Sequence, residues 1–189
     1  RGNTTRFFRN TEGLATNVVD ALSNLWKTAY HVSGNPSRIT DPLTNSVFIS
    51  YNNFFRPSVI TNQIGGVTRL FYDEMANPTN VVDALTNSTK ISYDLRQRVT
   101  NVKDARGFEI NLGYDPESNW TSLTNALGSV YQFVPDAVNR SLQTIFPDGS
   151  KESHVRDPNG NLIGFTNRAH QEINAVFDRD NRMTERDQP

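Results

Sequence analysis

Apolar and polar residues alternate in short segments along the whole chain. In one segment, Thr89, Ile91 and Tyr93 alternate with Lys90 and Ser92. This period of two places the apolar side chains on one face of a β-strand. The same pattern occurs in three other segments: Val47, Ile49 and Tyr51; Thr68, Leu70 and Tyr72; and Ile110, Leu112 and Tyr114. Asn, Asp, Gly and Pro interrupt the segments, which favours turns and disfavours helices.

The segments recur with a period of 21 residues. An aspartate register contains Asp73, Asp94, Asp115, Asp136, Asp157 and Asp178, and the register one residue earlier contains Tyr30, Tyr51, Tyr72, Tyr93, Tyr114 and Phe177. A second polar register contains Asp20, Asp41, Asn62, Asp83, Asp104, Asn125 and Asn167. Glycine registers contain Gly2, Gly65, Gly107, Gly128 and Gly149, and Gly13, Gly34 and Gly160. The 189 residues equal nine periods, so residues 1–189 are predicted to form a single continuous tandem array.

One repeat is predicted to contain two strands and two turns. Residues 73–78 form the first turn, 79–82 a strand, 83–87 the second turn, and the segment ending at Tyr93 a second strand. Two strands cannot bury an apolar face by themselves. Neighbouring repeats should therefore stack into a long, mostly antiparallel β-sheet that spirals into a tube or shell, because sheets twist. The predicted fold class is all-β.

Composition and charge exclude several function classes. The net charge of −1 and the charged fraction of 21% argue against a basic nucleic-acid-binding protein and against a charged disordered tail. The absence of cysteine excludes disulfides and thiolate metal sites. No apolar run is long enough to predict a membrane span. Because the chain begins at Arg1, we expect it to be a fragment or a repeating unit of a longer chain.

No catalytic, cofactor-binding or metal-binding residue is assigned from the sequence, and an enzyme is not predicted. Rows of aspartates could bind Ca²⁺, but a role as backbone acceptors in tight turns is favoured. The tyrosine register could stack on sugars if it faced outward, although its alternation with Ile and Leu favours packing. Packing is also expected for Trp26 and Trp120. His31, His154 and His170 are not at metal-ligand spacing, and His31 and His170 are expected to replace turn residues.

The registers resemble the RHS/YD-repeat family. Tyr93 and Asp94, followed by Val102, Asp104 and Gly107 and closed by Tyr114, resemble one YD repeat. Residues 156–162 resemble the first half of such a repeat. The tyrosine register departs from the pattern at Pro135 and Arg156, and the first glycine register departs at Phe55, Ala76, Gln97 and Ser118. The resemblance covers essentially the whole chain.

The resemblance implies a structural protein that is extracellular or at the cell surface and forms the wall of a hollow tube, filament or shell. In that family the repeats form shells of bacterial RHS toxins and toxin complexes and part of teneurin-like receptors. Two alternatives remain open: a segment of a toxin-encapsulating cocoon, and a carbohydrate-binding or adhesion surface. Expected partners are further repeats or copies joined through sheet edges, with carbohydrate or an encapsulated polypeptide as further candidates. Nucleic acid is not expected.

Overall fold

The computed structural model describes residues 4–187, and all regular elements in this part are β-strands. The predicted all-β antiparallel fold is confirmed. The strands are β1 (Arg6–Arg9), β2 (Ala15–Val19), β3 (Leu25–Tyr30), β4 (Pro36–Thr40), β5 (Ser46–Tyr51), β6 (Pro57–Thr61), β7 (Val67–Tyr72), β8 (Pro78–Val82), β9 (Ser88–Tyr93), β10 (Val99–Lys103), β11 (Glu109–Tyr114), β12 (Trp120–Thr124), β13 (Val130–Pro135), β14 (Ser141–Ile145), β15 (Lys151–Arg156), β16 (Leu162–Thr166), β17 (Glu172–Phe177) and β18 (Met183–Arg186).

The chain divides into two units, residues 1–91 and 92–189. In the first unit, the described strands form a meander in which each strand pairs antiparallel with the next, from β1–β2 to β8–β9. In the second unit, β10 to β18 follow the same rule. Whether residues 1–189 form one continuous array stays a prediction.

The two turns of each repeat share one hydrogen-bond pattern. In the turn at Asp83, the Asp83 N–H donates to the Asn87 carbonyl at 2.9 Å and the Thr86 N–H donates to the Asp83 carbonyl at 3.0 Å. Thr86 has a φ of 69°. This is the three-residue hairpin loop in which a turn is followed by a residue in the left-handed region. The loop returns the chain antiparallel after only three residues.

The register of each repeat is fixed by a bulge beside the tyrosine. Phe71 pairs with Asn80, but Tyr72 pairs with Pro78, so Thr79 is an extra residue in β8. Equivalent shifts occur in β3–β4, β5–β6, β11–β12, β13–β14 and β15–β16. A one-residue slip would move every side chain to the opposite face, so the bulge determines which residues share a face.

One face of the sheet carries the tyrosines and most of the aliphatic residues. Leu70 lies opposite Val81, which in turn lies opposite Thr89. Directly opposite residues share a face, and Tyr72 shares it because it is two residues from Leu70. We call this surface the tyrosine face. Its side chains in β7 are half-buried, and no apolar side chain of residues 4–187 is fully buried.

The other surface, the polar face, carries mostly polar and charged residues. Arg69 lies opposite Val82, and Asn80 lies opposite Lys90. Arg69 and Phe71 are exposed, whereas their neighbours in β7 are half-buried. The sheet therefore has the predicted difference between its faces.

Candidate functional site

The aspartates of both polar registers hold the turns through their carboxylates. Asp83 Oδ1 accepts hydrogen bonds from the backbone N–H groups of Leu85 and Asn87 at 2.8 and 2.9 Å, and Oδ2 accepts from Asn87 Nδ2 at 2.9 Å. Asn62 accepts the same two backbone bonds with its amide oxygen. The residue type at this position is therefore explained by turn chemistry, as favoured from the sequence.

These bonds lower the pKa of the turn carboxylates. Hydrogen bonds donated by Asn87, and then by the Leu85 N–H, hold the pKa of Asp83 below its usual value. The residue four positions later is the largest cause of a lowered pKa at seven other aspartates: Asp20, Asp73, Asp94, Asp115, Asp136, Asp157 and Asp178. Within residues 4–187, no group of three or more His, Asp or Glu side chains is placed to hold a metal ion.

One turn uses a different aspartate. Phe146 occupies the second polar register, and Asp148, two residues later, accepts from the Ser150 hydroxyl and N–H at 2.6 and 3.0 Å. These two bonds, assisted by Arg168, lower the pKa of Asp148 to about 2. The Arg168 guanidinium also lies 4.3 Å from the centre of the Phe146 ring. Asp148 and Arg168 thus link two successive turns of this type.

Neighbouring turns of the aspartate register that contains Asp73 are linked to each other by one residue per turn. This residue lies four positions after the register residue, and we call its place the coupling position. Asn and Arg alternate there: Asn35, Arg56, Asn77, Arg98, Asn119, Arg140, Asn161 and Arg182. Arg98 donates to Asp94 Oδ2 at 2.7 Å within its own turn and to the Asp115 carbonyl at 2.9 Å in the next turn. The side-chain amide of Asn119 donates one hydrogen bond to Asp115 Oδ2 in its own turn and another to Asn139 Oδ1 in the next turn.

The coupling position was not identified from the sequence as a functional feature. Its signal was a regular Asn/Arg alternation with a period of 42 residues, superimposed on the period of 21. A position that alternates between two residue types has no constant residue at 21-residue spacing, so it does not appear among the 21-residue registers.

The tyrosine register forms a row of repeated hydrogen bonds. Tyr30, Tyr51, Tyr72 and Tyr114 donate their hydroxyls to carbonyls 15 residues earlier, at 2.6–2.9 Å. The four rings are half-buried. Arg56 and Arg98 lie 5.8 and 4.5 Å from the ring centres of Tyr72 and Tyr114. All four hydroxyls are therefore engaged, and two of the rings have a guanidinium over one face, in agreement with the packing role favoured from the sequence.

The histidines lie apart from one another. His31 replaces an aspartate in a turn, where its Nδ1 accepts from the Ser33 N–H at 3.1 Å. His170 has a φ of 62° in another turn. His154 lies on the tyrosine face, opposite Phe165, and its buried Nδ1 has no hydrogen-bond partner. Trp26 and Trp120 are 45% and 53% exposed, so both pack only partly.

Exposed aliphatic residues form a row at the tips of the second type of turn. Leu22, Leu43, Ile64 and Leu85 are 79–86% exposed and are spaced by 21 residues. Leu127 continues the register in the second unit, with 86% exposure. Solvent-exposed apolar residues in such a regular row were also missed from the sequence, because the turns were evaluated only for their Asp, Asn and Gly content.

The described residues thus form an all-β tandem-repeat sheet with regularly linked turns. No family model matches the chain, and no curated protein sequence matches it. Residues 4–187 contain no helix with the length and apolar character of a transmembrane span.

Solved structures with the same fold belong to Tc toxin complexes. One of them is the crystal structure of TcdB2-TccC3-Cdc42. The chain superposes on it with a TM-score of 0.75 and 12% sequence identity, and the match covers 96% of this chain and 12% of that chain. For TcdB2-TccC3 alone, the TM-score is 0.73, the identity 14% and the coverage 95% and 12%. For the Tc holotoxin pore of Photorhabdus luminescens, the values are 0.63, 11%, 97% and 13%. The chain therefore spans only a small part of each of these proteins.

Proposed function

We propose that this chain is a wall segment of a hollow extracellular shell or tube built from RHS/YD-type repeats. The observation that supports this most is the uniform hairpin unit, which keeps its turn geometry at every described turn, including those without glycine. A protein with a single enclosed site needs one special loop, whereas a wall needs the same unit many times. The likeness to TcdB2-TccC3 at the level of the fold supports the same role.

Curvature and assembly follow from the physics of a long meander. Adjacent strands rotate against each other by about 20–25°, and exposed edges pair with further strands. A sheet of this kind is stable when it closes or when more repeats extend it. The expected partners are therefore further repeats or further copies of the chain, with a structural and not an enzymatic role.

A toxin-enclosing wall is the second candidate function. It is favoured by one specific observation, the fold likeness to a TcdB2-TccC3 structure described as lacking a hypervariable C-terminal region. A carbohydrate platform on the tyrosine register has less support, because the tyrosine hydroxyls already donate to backbone carbonyls.

Negative-stain electron microscopy of the purified chain tests assembly through the sheet edge. The Asp187 N–H donates to the Asn174 carbonyl, so the N–H of the preceding residue, Arg186, points away from β17. Arg186→Pro removes that outward donor without removing an N–H that is directed at β17. We expect hollow or tubular particles from the native chain and from the control Arg186→Lys, and dispersed monomers from Arg186→Pro. Uniform monomers of all three proteins would refute assembly through this edge.

A further inference from the structure

The polar face of the first unit carries cations and no carboxylate among residues 4–91. The cations lie in β1, β3, β4, β7 and β9, and their positions on this face follow from the strand pairing: Arg6, Lys27, Arg38, Arg69 and Lys90. All five are exposed. The acidic residues of the same unit lie outside the strands: Glu12, Asp20, Asp41, Asp73, Glu74 and Asp83. No strand of this unit therefore carries an acid beside these cations. The acids lie in the turns, where Asp20 lines one groove with Arg6, and Asp73 and Glu74 line another with Arg69.

These cations are not neutralised by ion pairs. Every salt bridge within residues 4–187 lies in the second unit. There, Lys103 on the polar face lies 2.5 Å from Glu109 in the adjacent strand. The polar face of the first unit has no equivalent acid, so Lys27, Arg69 and Lys90 have no carboxylate partner. Unpaired cations on one surface create a positive potential that attracts anions.

Exposed aromatic residues lie between the cations. Phe8, Phe48 and Phe71 are 50%, 45% and 48% exposed on the same face. The Arg38 guanidinium lies 5.1 Å from the centre of the Phe48 ring. Open grooves of about 370 Å³ and about 440 Å³ adjoin Lys27 and Arg69 respectively, and the groove at Arg69 is also lined by the turn residues Asp73 and Glu74. The surface therefore offers both charge and apolar contact area.

The mixture of groups identifies the chemistry of the partner. A neutral sugar chain has no charge that would complement the five cations, and two hydroxyls of this face are already engaged: Ser46 by Arg38 and Thr40, and Ser88 by Asn80. Single-stranded nucleic acid presents a charge on every nucleotide and is usually met by a continuous basic groove. Here the cations are sparse and alternate with apolar side chains, which matches a polypeptide whose carboxylates are separated by apolar residues.

We propose that the polar face of the first unit binds an extended acidic polypeptide segment. With strands about 4.8 Å apart, the cations from β1 to β9 span about 38 Å, which corresponds to about 12 extended residues. Carboxylates of the segment would pair with the cations, and its apolar residues would contact the three phenylalanines. This inference goes beyond the proposed wall function, since it requires only this face and not assembly of a shell.

Fluorescence anisotropy with a synthetic peptide tests the inference. The probe is a fluorescein-labelled peptide of about 12 residues in which glutamates alternate with valine and phenylalanine, at low and physiological salt. We expect saturable binding that weakens as salt rises. The triple variant Lys27→Gln, Arg69→Gln, Lys90→Gln should bind roughly tenfold more weakly. Arg106→Gln, which removes an exposed turn cation of the second unit, is the matched control and should bind like the native chain.

Four outcomes decide against the inference. These are equal affinity of the triple variant and the native chain, equal binding of a peptide with lysine in place of glutamate, tighter binding of oligo-dT, and tighter binding of a sulfated polysaccharide. The last two would assign the face to nucleic acid or to an acidic glycan. Circular dichroism spectra of the triple variant that match the native spectra separate loss of binding from loss of the fold. If the chain is monodisperse and still binds the peptide, the peptide-binding inference stands and self-assembly is refuted.

Discussion

Ala76 has a φ of 80°, and every other described turn has a residue with positive φ at the same position. Glycine adopts this conformation without strain, but a residue with a Cβ atom pays about 1–2 kcal/mol. Phe55, Gln97 and Ser118 have the same conformation. Departures from glycine in the sequence therefore change the energy of the turn and not its shape.

Replacing Ala76 by glycine should stabilise the chain by about 1 kcal/mol. The measurement is the free energy of unfolding in urea. Ala84→Gly is the matched control, because Ala84 does not have a positive φ, and it should destabilise by about 0.5–1 kcal/mol. A shift of both variants in the same direction would contradict the strain at residue 76.

Stability should fall in acid because the turn carboxylates have lowered pKa values. Asp148 has a folded pKa of about 2 against a usual value of 3.8, so the unfolded chain takes up its proton first as the pH falls. Its contribution is present above about pH 4 and is lost as the pH falls toward 2.

The corresponding experiment is a series of thermal melts between pH 6 and about pH 2. Asp148→Asn should lower Tm at pH 6 and show a smaller loss of Tm in acid than the native chain. Asp180→Asn is the control, and it should retain the native slope. An unchanged slope in Asp148→Asn would rule out the predicted linkage.

At the scale of strands and turns, hydrogen bonds that cross between elements hold the two strands of a repeat together. The Tyr72 hydroxyl donates to the Pro57 carbonyl at 2.9 Å and joins the end of β7 to the start of β6. Tyr72→Phe should destabilise by about 1 kcal/mol, since one bond is lost and the ring remains. Tyr131→Phe serves as the control, because Tyr131 lies outside the tyrosine register, and it should have a smaller effect in the same urea titration.

Arg98 joins two turns, so its removal should affect both. Arg98→Ala removes the bonds to Asp94 and to the Asp115 carbonyl, and the contact with Tyr114. We expect Tm to fall by roughly 2–4 °C. Arg182 occupies the same position in the last described turn, where it contacts Asp178 and Asp180. Arg182→Ala should therefore lower Tm less than Arg98→Ala, and equal effects would refute coupling between turns.

Over the whole molecule, stability should vary with position along each unit. Repeat arrays are stabilised by contacts between neighbours, so terminal repeats have fewer of them. Among the described strands, β1 pairs with β2 and β18 pairs with β17, so each has one paired neighbour. The residues of both strands are exposed throughout. Hydrogen–deuterium exchange should show the fastest backbone exchange in β1 and β18 and the slowest in inner strands such as β6 and β14. Equal protection of the backbone amides in all strands from β1 to β18 would contradict the predicted gradient of stability.

The sequence determined the local structure because each repeat encodes it within a few residues. The alternation around Ile91 predicted the strand that the structure shows as β9, and Asp83 predicted a turn that its carboxylate holds. The role of His31 as a turn residue was also predicted and is confirmed by its bond to Ser33. These features depend on period, turn chemistry and side-chain type, all of which are local.

Only the tertiary structure decided which distant residues share a surface. Lys27, Arg69 and Lys90 lie on one face because each hairpin has a three-residue loop and a bulge of fixed position. The bond from Arg98 to the carbonyl of Asp115 depends on the same register. Side-chain facing alternates at every residue, so a shift of one position would have reversed the assignment. The pairing of strands, and not the composition, therefore gathers these cations on one face.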